Sequence, residues 1–185
     1  MKTEYRLASA LKELMSDNKP LSEISVTMLT KKCKVGRQTF YYHFHDVYDL
    51  LTMVFLNEEI KKVKDSHNLD DILTSIYAYY EKNASFISSV LSSGGRDLFL
   101  EFINNNVYQT LLRLTLLSDK EKITTLTERR NISRFYAAAI SQTITFYFEN
   151  VKKKSIAGLK KYFSMLHKDF LINAIKSTVK NRVIV

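Results

Sequence analysis

One cysteine, one proline, four glycines and no tryptophan occur among 185 residues. A lone thiol cannot close an intrachain disulfide, so nothing here asks for an oxidising compartment. So few glycines and prolines leave little to punctuate a succession of short strands. That scarcity favours helices joined by short connections, and the expected fold class is all-α. No apolar run approaches the roughly 18 residues that a membrane span needs. The opening Met1-Lys2-Thr3-Glu4-Tyr5-Arg6 lacks the apolar core of a secretory signal. A cytoplasmic protein with no membrane contact is expected. Acids are missing from one stretch entirely, for none stands between Glu23 and Asp46.

The charge that is present is unevenly spread. Residues 1–50 carry 8 Lys/Arg against 6 Asp/Glu, residues 51–149 carry 11 against 12, and residues 150–185 carry 9 against 1. The net charge of +9 therefore comes mostly from the C-terminal segment. It says little about the acid-free stretch near the N-terminus. Within that stretch, Thr27 to Phe44 reads as a short helix, a tight turn at Gly36 and a second short helix whose first turn is polar. Lys31, Lys32, Lys34 and Arg37 fall inside it, interleaved with aromatics and hydroxyls. That is the pattern of a helix-turn-helix whose second helix enters the DNA major groove, with cations for phosphates and polar groups for base edges.

Helical spacing of Leu7, Ala8, Leu11, Leu14 and Met15 predicts a first helix over residues 4–16, ended by Asp17-Asn18-Lys19-Pro20. Thr27 is the expected N-cap of the second helix, with Met28, Leu29 and Cys33 inward. Phe40 and Phe44 are expected in the core from the third. Asp46 should cap a fourth helix, carrying Tyr48, Leu51, Val54 and Phe55 and running to about Lys64. The polar run Asp65-Ser66-His67-Asn68 is the expected joint before a body that opens with a helix over Leu69–Leu91. Helices at 96–105, 107–117, Thr127–Val151 and Ile156–Lys180 should follow. This suggests a DNA-binding domain over 1–48 and a helical effector and dimerisation domain over 49–185.

The helix from Thr127 carries a broad stripe: Ile132, Phe135, Tyr136, Ala139, Ile140, Thr143, Ile144, Tyr147, Phe148 and Val151. The last helix mirrors it with Leu159, Tyr162, Phe163, Leu166 and Phe170. Two such faces suit a four-helix interface between two copies. Phe135, Ala139, Thr143, Tyr147, Leu159, Phe163, Leu166 and Phe170 are the residues expected there.

Other chemistries find little support. His43 and His45, two apart on a helix, point away from each other, so no metal site is expected. Gly94-Gly95-Arg96 lacks the length and the Lys-Ser/Thr of a phosphate loop and reads as a connection. The adjacent pairs Glu58-Glu59 and Asp70-Asp71 do not form an acid–base arrangement, and no nucleophile–base pair is visible. Cys33 reads as core. No catalytic residue and no cofactor is expected, and the chain does not read as an enzyme.

The run Pro20-Leu21-Ser22-Glu23-Ile24-Ser25-Val26-Thr27, with Val35-Gly36-Arg37-Gln38-Thr39-Phe40-Tyr41-Tyr42-His43-Phe44, resembles the DNA-binding domain of TetR-family transcriptional regulators. That family's helix-turn-helix ends in Tyr-x-His-Phe and leads at once into the helix toward an effector domain. The remainder, especially Phe135 to Ile140 and Tyr162-Phe163, is similar to the C-terminal domain of activators of dihydroxyacetone kinase operons. There are departures: relatives often have Gly where this chain has Lys34, Ser where it has Gly36, and Lys where it has Val47.

Arg37, Gln38 and Thr39 open the recognition helix, where side chains reach base edges. Arg37 suits guanine, Gln38 suits adenine, and Tyr42, one turn on, suits a thymine methyl or a phosphate. Thr27, Lys31, Lys32 and Lys34 supply a backbone clamp, and the resemblance adds Tyr41 and His43 as phosphate contacts. The expected protein is a homodimer on double-stranded palindromic DNA. The resemblance further implies an activator working with a protein coactivator related to the dihydroxyacetone-binding kinase subunit. The basic segment 150–185 is open to three readings: a solvated surface, a second DNA contact, or a dock for an acidic partner. The alternative function is a repressor released by a small hydrophobic ligand in the C-terminal domain, near aromatics such as Tyr77, Tyr80, Phe99 and Phe102.

Overall fold

The computed structural model describes residues 2–17 and 19–182, and among these it contains ten α-helices and no strand. The first, α1 (Thr3–Ser16), buries Leu7, Ala10, Leu11 and Met15, one stripe at three-to-four spacing. Pro20 then leads into a 3-10 turn, Leu21–Glu23. Asn18, part of the expected terminating run, lies outside the described residues. Next come α2 (Val26–Cys33), α3 (Arg37–His43) and α4 (Val47–Asn57).

Ser25, not Thr27, caps α2. Its backbone is extended (φ −94°, ψ 154°) and its hydroxyl accepts the Met28 N–H at 3.2 Å, while Thr27 lies inside the helix. Asp46 caps α4 as expected, accepting the Asp49 N–H at 2.8 Å. Its partner Asp49 reaches back to accept the His45 N–H at 3.1 Å. The helix stops at Asn57 rather than Lys64. Glu58 is extended, and Lys62 takes a left-handed conformation (φ 70°). Ile60 and Val63 are both buried, so their i, i+3 spacing is met by a turn instead of another helical turn.

Three further boundaries differ from the sequence pattern. The expected helix Leu69–Leu91 is two, α5 (Leu69–Lys82) and α6 (Ala84–Leu91), parted at Asn83. Conversely, the two helices expected between 96 and 117 are one, α7 (Arg96–Ser118). Its Asn104-Asn105-Asn106 run does not break it, because Phe99, Ile103, Val107, Leu111 and Leu114 hold one buried stripe across that run. After α8 (Leu126–Asn150), the expected final helix is also two, α9 (Ile156–Tyr162) and α10 (Phe170–Asn181). The helix-like spacing of Phe163, Leu166 and Phe170 is produced there by successive turns, with Phe170 N–H bonded to His167 O at 3.0 Å.

The backbone falls into two compact units, one of residues 1–59 with 80–102, the other of residues 60–79 with 103–185. In the first, α1 packs against α2, α4 and α6, and α2 against α3. Its core holds Leu11, Phe40, Leu50, Phe86 and Phe99, and Phe55 stacks near Phe86, Phe99 and Phe102. In the second, α8 packs against α9 and α10. The small and polar Ser133, Ala137, Ser141 and Thr145 lie fully buried along one line of α8.

Candidate nucleic-acid interface

The turn between α2 and α3 owes its shape to Lys34, which adopts the left-handed conformation (φ 52°, ψ 48°) at the C-terminus of α2. Its N–H closes on Lys31 O at 3.1 Å, and the Val35 N–H reaches Thr30 O at 3.0 Å, the paired bonds that end a helix this way. Gly36 was expected to make this turn. It is instead extended (φ −75°, ψ 156°) and serves as the N-cap of α3, without a side chain to do the capping. Phe40 is fully buried, and it fixes the inward face of α3.

The opposite face is open. Arg37, Gln38 and Tyr42 are exposed, Tyr42 at 85%, and Thr39 is half-buried. Among the described residues, the side chains of Arg37, Gln38, Lys31 and Lys34 make no hydrogen bond or ion pair. The Tyr42 ring stands edge-on against the His43 ring, at 5.0 Å between centroids. Tyr41 is exposed and packs edge-on against Phe40. Two cationic groups are engaged: Lys32 pairs with Glu13 at 2.9 Å, and His43 Nδ1 lies 3.2 Å from Glu4 Oε1. The bond to Glu13 holds the Lys32 ammonium above its ordinary pKa. Thr27 is half-buried on α2.

This head is braced from α1. The Arg6 guanidinium donates to the Cys33 carbonyl, and Cys33 Sγ donates to Arg6 O at 3.3 Å. Cys33 is buried, and that burial pushes its thiol pKa up despite Arg6 beside it, the environment of an inert core cysteine. The last turn of α2 is thereby tied to α1, so the exposed face of α3 is carried on a fixed support.

In the second unit, α8 has two distinct apolar faces. Ile140, Ile144, Tyr147 and Phe148 are buried within the chain, as are Leu159, Phe163 and Phe170 from the following elements. Phe135 (69% exposed) and Ala139 face solvent, with Thr143 and Leu166 half-buried. These four line an apolar groove of about 450 Å³, to which Phe146, Tyr162 and Met165 also contribute. The sequence stripe merged the two faces. Phe146 belongs with Phe135, Ala139 and Gln142 at four-three-four spacing, a signal that was present and concealed by the buried neighbours. Of the aromatics expected at a ligand site, Phe99 and Phe102 stack near Phe55 in the first unit, and Tyr77 stacks near Phe148 in the second.

The family of the transcriptional regulator C-terminal region of TetR type matches residues 67–169, more than half of the chain. The chain belongs to the TetR family of transcriptional regulators. This regulator is similar to the HTH-type dhaKLM operon transcriptional activator DhaS of Lactococcus lactis subsp. lactis (strain IL1403), at 29% identity over 91 residues. That match spans 48% of each protein, about half the length of the curated relative. A solved structure titled dihydroxyacetone kinase operon activator DhaS has the same fold, with a TM-score of 0.56 and 23% identity over 96% of both chains. No helix among the described residues is long and apolar enough to cross a membrane.

Proposed function

We propose that this regulator is a cytoplasmic homodimer that binds a palindromic operator through α3 and activates a dihydroxyacetone kinase operon together with a protein coactivator. The DNA-binding domain would comprise residues 1–48 and the effector and dimerisation domain residues 49–185. One observation carries the reading. Arg37, Gln38 and Tyr42 stand exposed on a helix whose other face is locked by Phe40, and among the described residues none of their side chains is hydrogen-bonded. Side chains so prepared can meet base edges, with Lys31, Lys34, Thr27, Tyr41, His43 and Lys32 holding phosphates around them. Family membership and the similarity to DhaS support the regulatory role, and DhaS being an operon activator supports the direction.

The test is selection from random duplexes with the purified protein at two salt concentrations. A palindrome should be enriched, with half-sites about 34–36 Å apart, and affinity should fall steeply with salt. Arg37→Ala should cost about 1–3 kcal/mol of discrimination at one base pair of each half-site while leaving the fold intact. An unenriched pool, with and without cell extract, would sink the reading.

A second reading, control by a small ligand inside the body, has one observation in its favour. The buried Ser141 Oγ, Thr145 Oγ1 and Asn104 Oδ1 have no hydrogen-bond partner among the described residues, and buried polar atoms ordinarily find one. Ligand-dependent release of DNA with no partner protein present would favour it.

A further inference from the structure

Between the start of α5 and the turns after α9 lies a hollow of about 240 Å³ whose floor and rim differ in character. Leu73 and Phe163, both buried, and the half-buried Leu166 form an apolar floor. Lys160, His167 and Lys168 stand around it. Lys160 is shared, its ammonium 2.7 Å from Asp70 Oδ2. Lys168 makes no hydrogen bond or ion pair among the described residues. The His167 ring accepts the Asp169 N–H through Nδ1 at 3.2 Å, which leaves Nε2–H as its donor. Asp70 is the one carboxylate of the lining and is taken up by Lys160, and His167 Nδ1 stands 3.6 Å from Asp169 Oδ2 outside that lining. Lys168 is left unanswered, within a segment carrying 9 Lys/Arg and 1 acid.

We infer that this hollow binds a small organic anion, a carboxylate or phosphate monoester on a short apolar body. The anionic head would meet Lys168 and the His167 Nε2–H, where charge-assisted bonds are strongest. The body would cover Leu73, Phe163 and Leu166. A neutral alcohol of the same length would fill the floor and leave the cations unanswered, and inorganic phosphate would answer the cations but leave the floor wet. Neither half of the lining alone accounts for the site. Phe163 and Leu166 also line the groove beside α8, so occupancy bears on the wall of that groove. The inference does not depend on the DNA-binding reading.

The test is titration of the full chain with hexanoate, hexyl phosphate, hexanol and inorganic phosphate, followed by calorimetry and by methyl NMR of Leu73 and Leu166. Hexanoate or hexyl phosphate should bind saturably, and hexanol and inorganic phosphate at least about tenfold more weakly. Which of the two anions binds tighter identifies the head group. Two variants should move in opposite directions. Lys168→Met should weaken the anion about tenfold, while Asp70→Asn, which frees Lys160, should tighten it. Lys120→Met, which removes an exposed charge elsewhere, should change nothing. Equal binding of hexanoate and hexanol, an unmoved Lys168→Met, a weakened Asp70→Asn, or no saturable binding by any probe would each overturn the proposal.

Discussion

Lys34 holds a conformation that its Cβ disfavours. A left-handed backbone at a residue other than glycine costs about 1 kcal/mol, and nothing about the lysine side chain relieves it. The cost is understandable if the charge is needed where the turn meets DNA. Lys34→Gly should therefore raise stability by about 1 kcal/mol in urea denaturation. The same change should weaken DNA binding and lower the salt slope by about one. Stability and affinity moving the same way would refute this account. Gly36 offers the complementary case. A Cβ there would meet only Thr39 Oγ1, at 3.9 Å, and the backbone is already that of an N-cap. Gly36→Ser should stabilise by a few tenths of a kcal/mol, read as a shifted urea midpoint with unchanged slope. The sequence could not separate these two residues. Gly36 looked like the turn-former because glycine usually is, and only the backbone angles show that the lysine takes that place.

Helix α8 is fastened at both ends by side chains. At its start Thr125 and Glu128 form a reciprocal capping box, and Glu128 also receives Arg182 from the end of α10, at 2.6 Å to Nε. Buried Asp119 gathers the preceding turn, accepting the N–H groups of Ile123 and Thr124 at 2.9 and 3.0 Å. Burial alone would raise the Asp119 pKa, yet the bonds from Thr124, Ile123 and Arg129 together hold it below the ordinary carboxylate value. Glu128 is lowered from 4.5 to about 2, chiefly by its bond with Arg182 and then by the Thr125 N–H. A folded-state pKa below the unfolded one means that Glu128 stabilises the protein above about pH 4.5 and loses that effect as pH falls toward 2. Arg182→Gln should flatten the acid limb of a stability-versus-pH curve over that window. At the other end, Tyr147 Oη donates to Ser155 O and accepts from Ser155 N, both at 2.9 Å. Tyr147→Phe should cost about 1–2 kcal/mol by calorimetry, since both Ser155 groups then lose a partner. Short-range devices of this kind are written in the chain: Asp46 declared itself as a cap, and Thr125-x-x-Glu128 has the capping-box spacing although the expected helix began only at Thr127. The Arg182 and Ser155 partners are not, because each depends on how the chain folds back. Boundaries failed for the same reason, as turns at Ile60–Val63 and Phe163–Phe170 reproduce helical spacing of buried residues without being helix.

Under the proposed reading, α3 is a recognition helix of only seven residues with few side chains to read bases, so one copy would distinguish operators poorly. Two copies on a palindrome roughly add their discrimination, provided that something fixes the separation of the heads. The exposed side of α8 is suited to that role. Phe135 at 69% and Met165 at 87% exposure are large apolar groups left in solvent beside a groove of about 450 Å³, a costly arrangement unless another apolar face covers it. Aromatics and methionine are the residues that interface cores favour. Phe135→Glu discriminates this from a merely exposed surface. Phe135 is mostly exposed and its ring packs edge-on against Tyr136, at 5.3 Å between centroids, so the fold should survive and helical circular dichroism should be unchanged. In sedimentation the variant should run as a monomer. Its affinity for the selected palindrome should collapse toward the salt-sensitive, sequence-independent level that Lys31 and Lys34 alone support. If the variant stays dimeric, or the wild type is a monomer at micromolar concentration, the groove is not the dimer seam. Each head would then have to find its half-site alone.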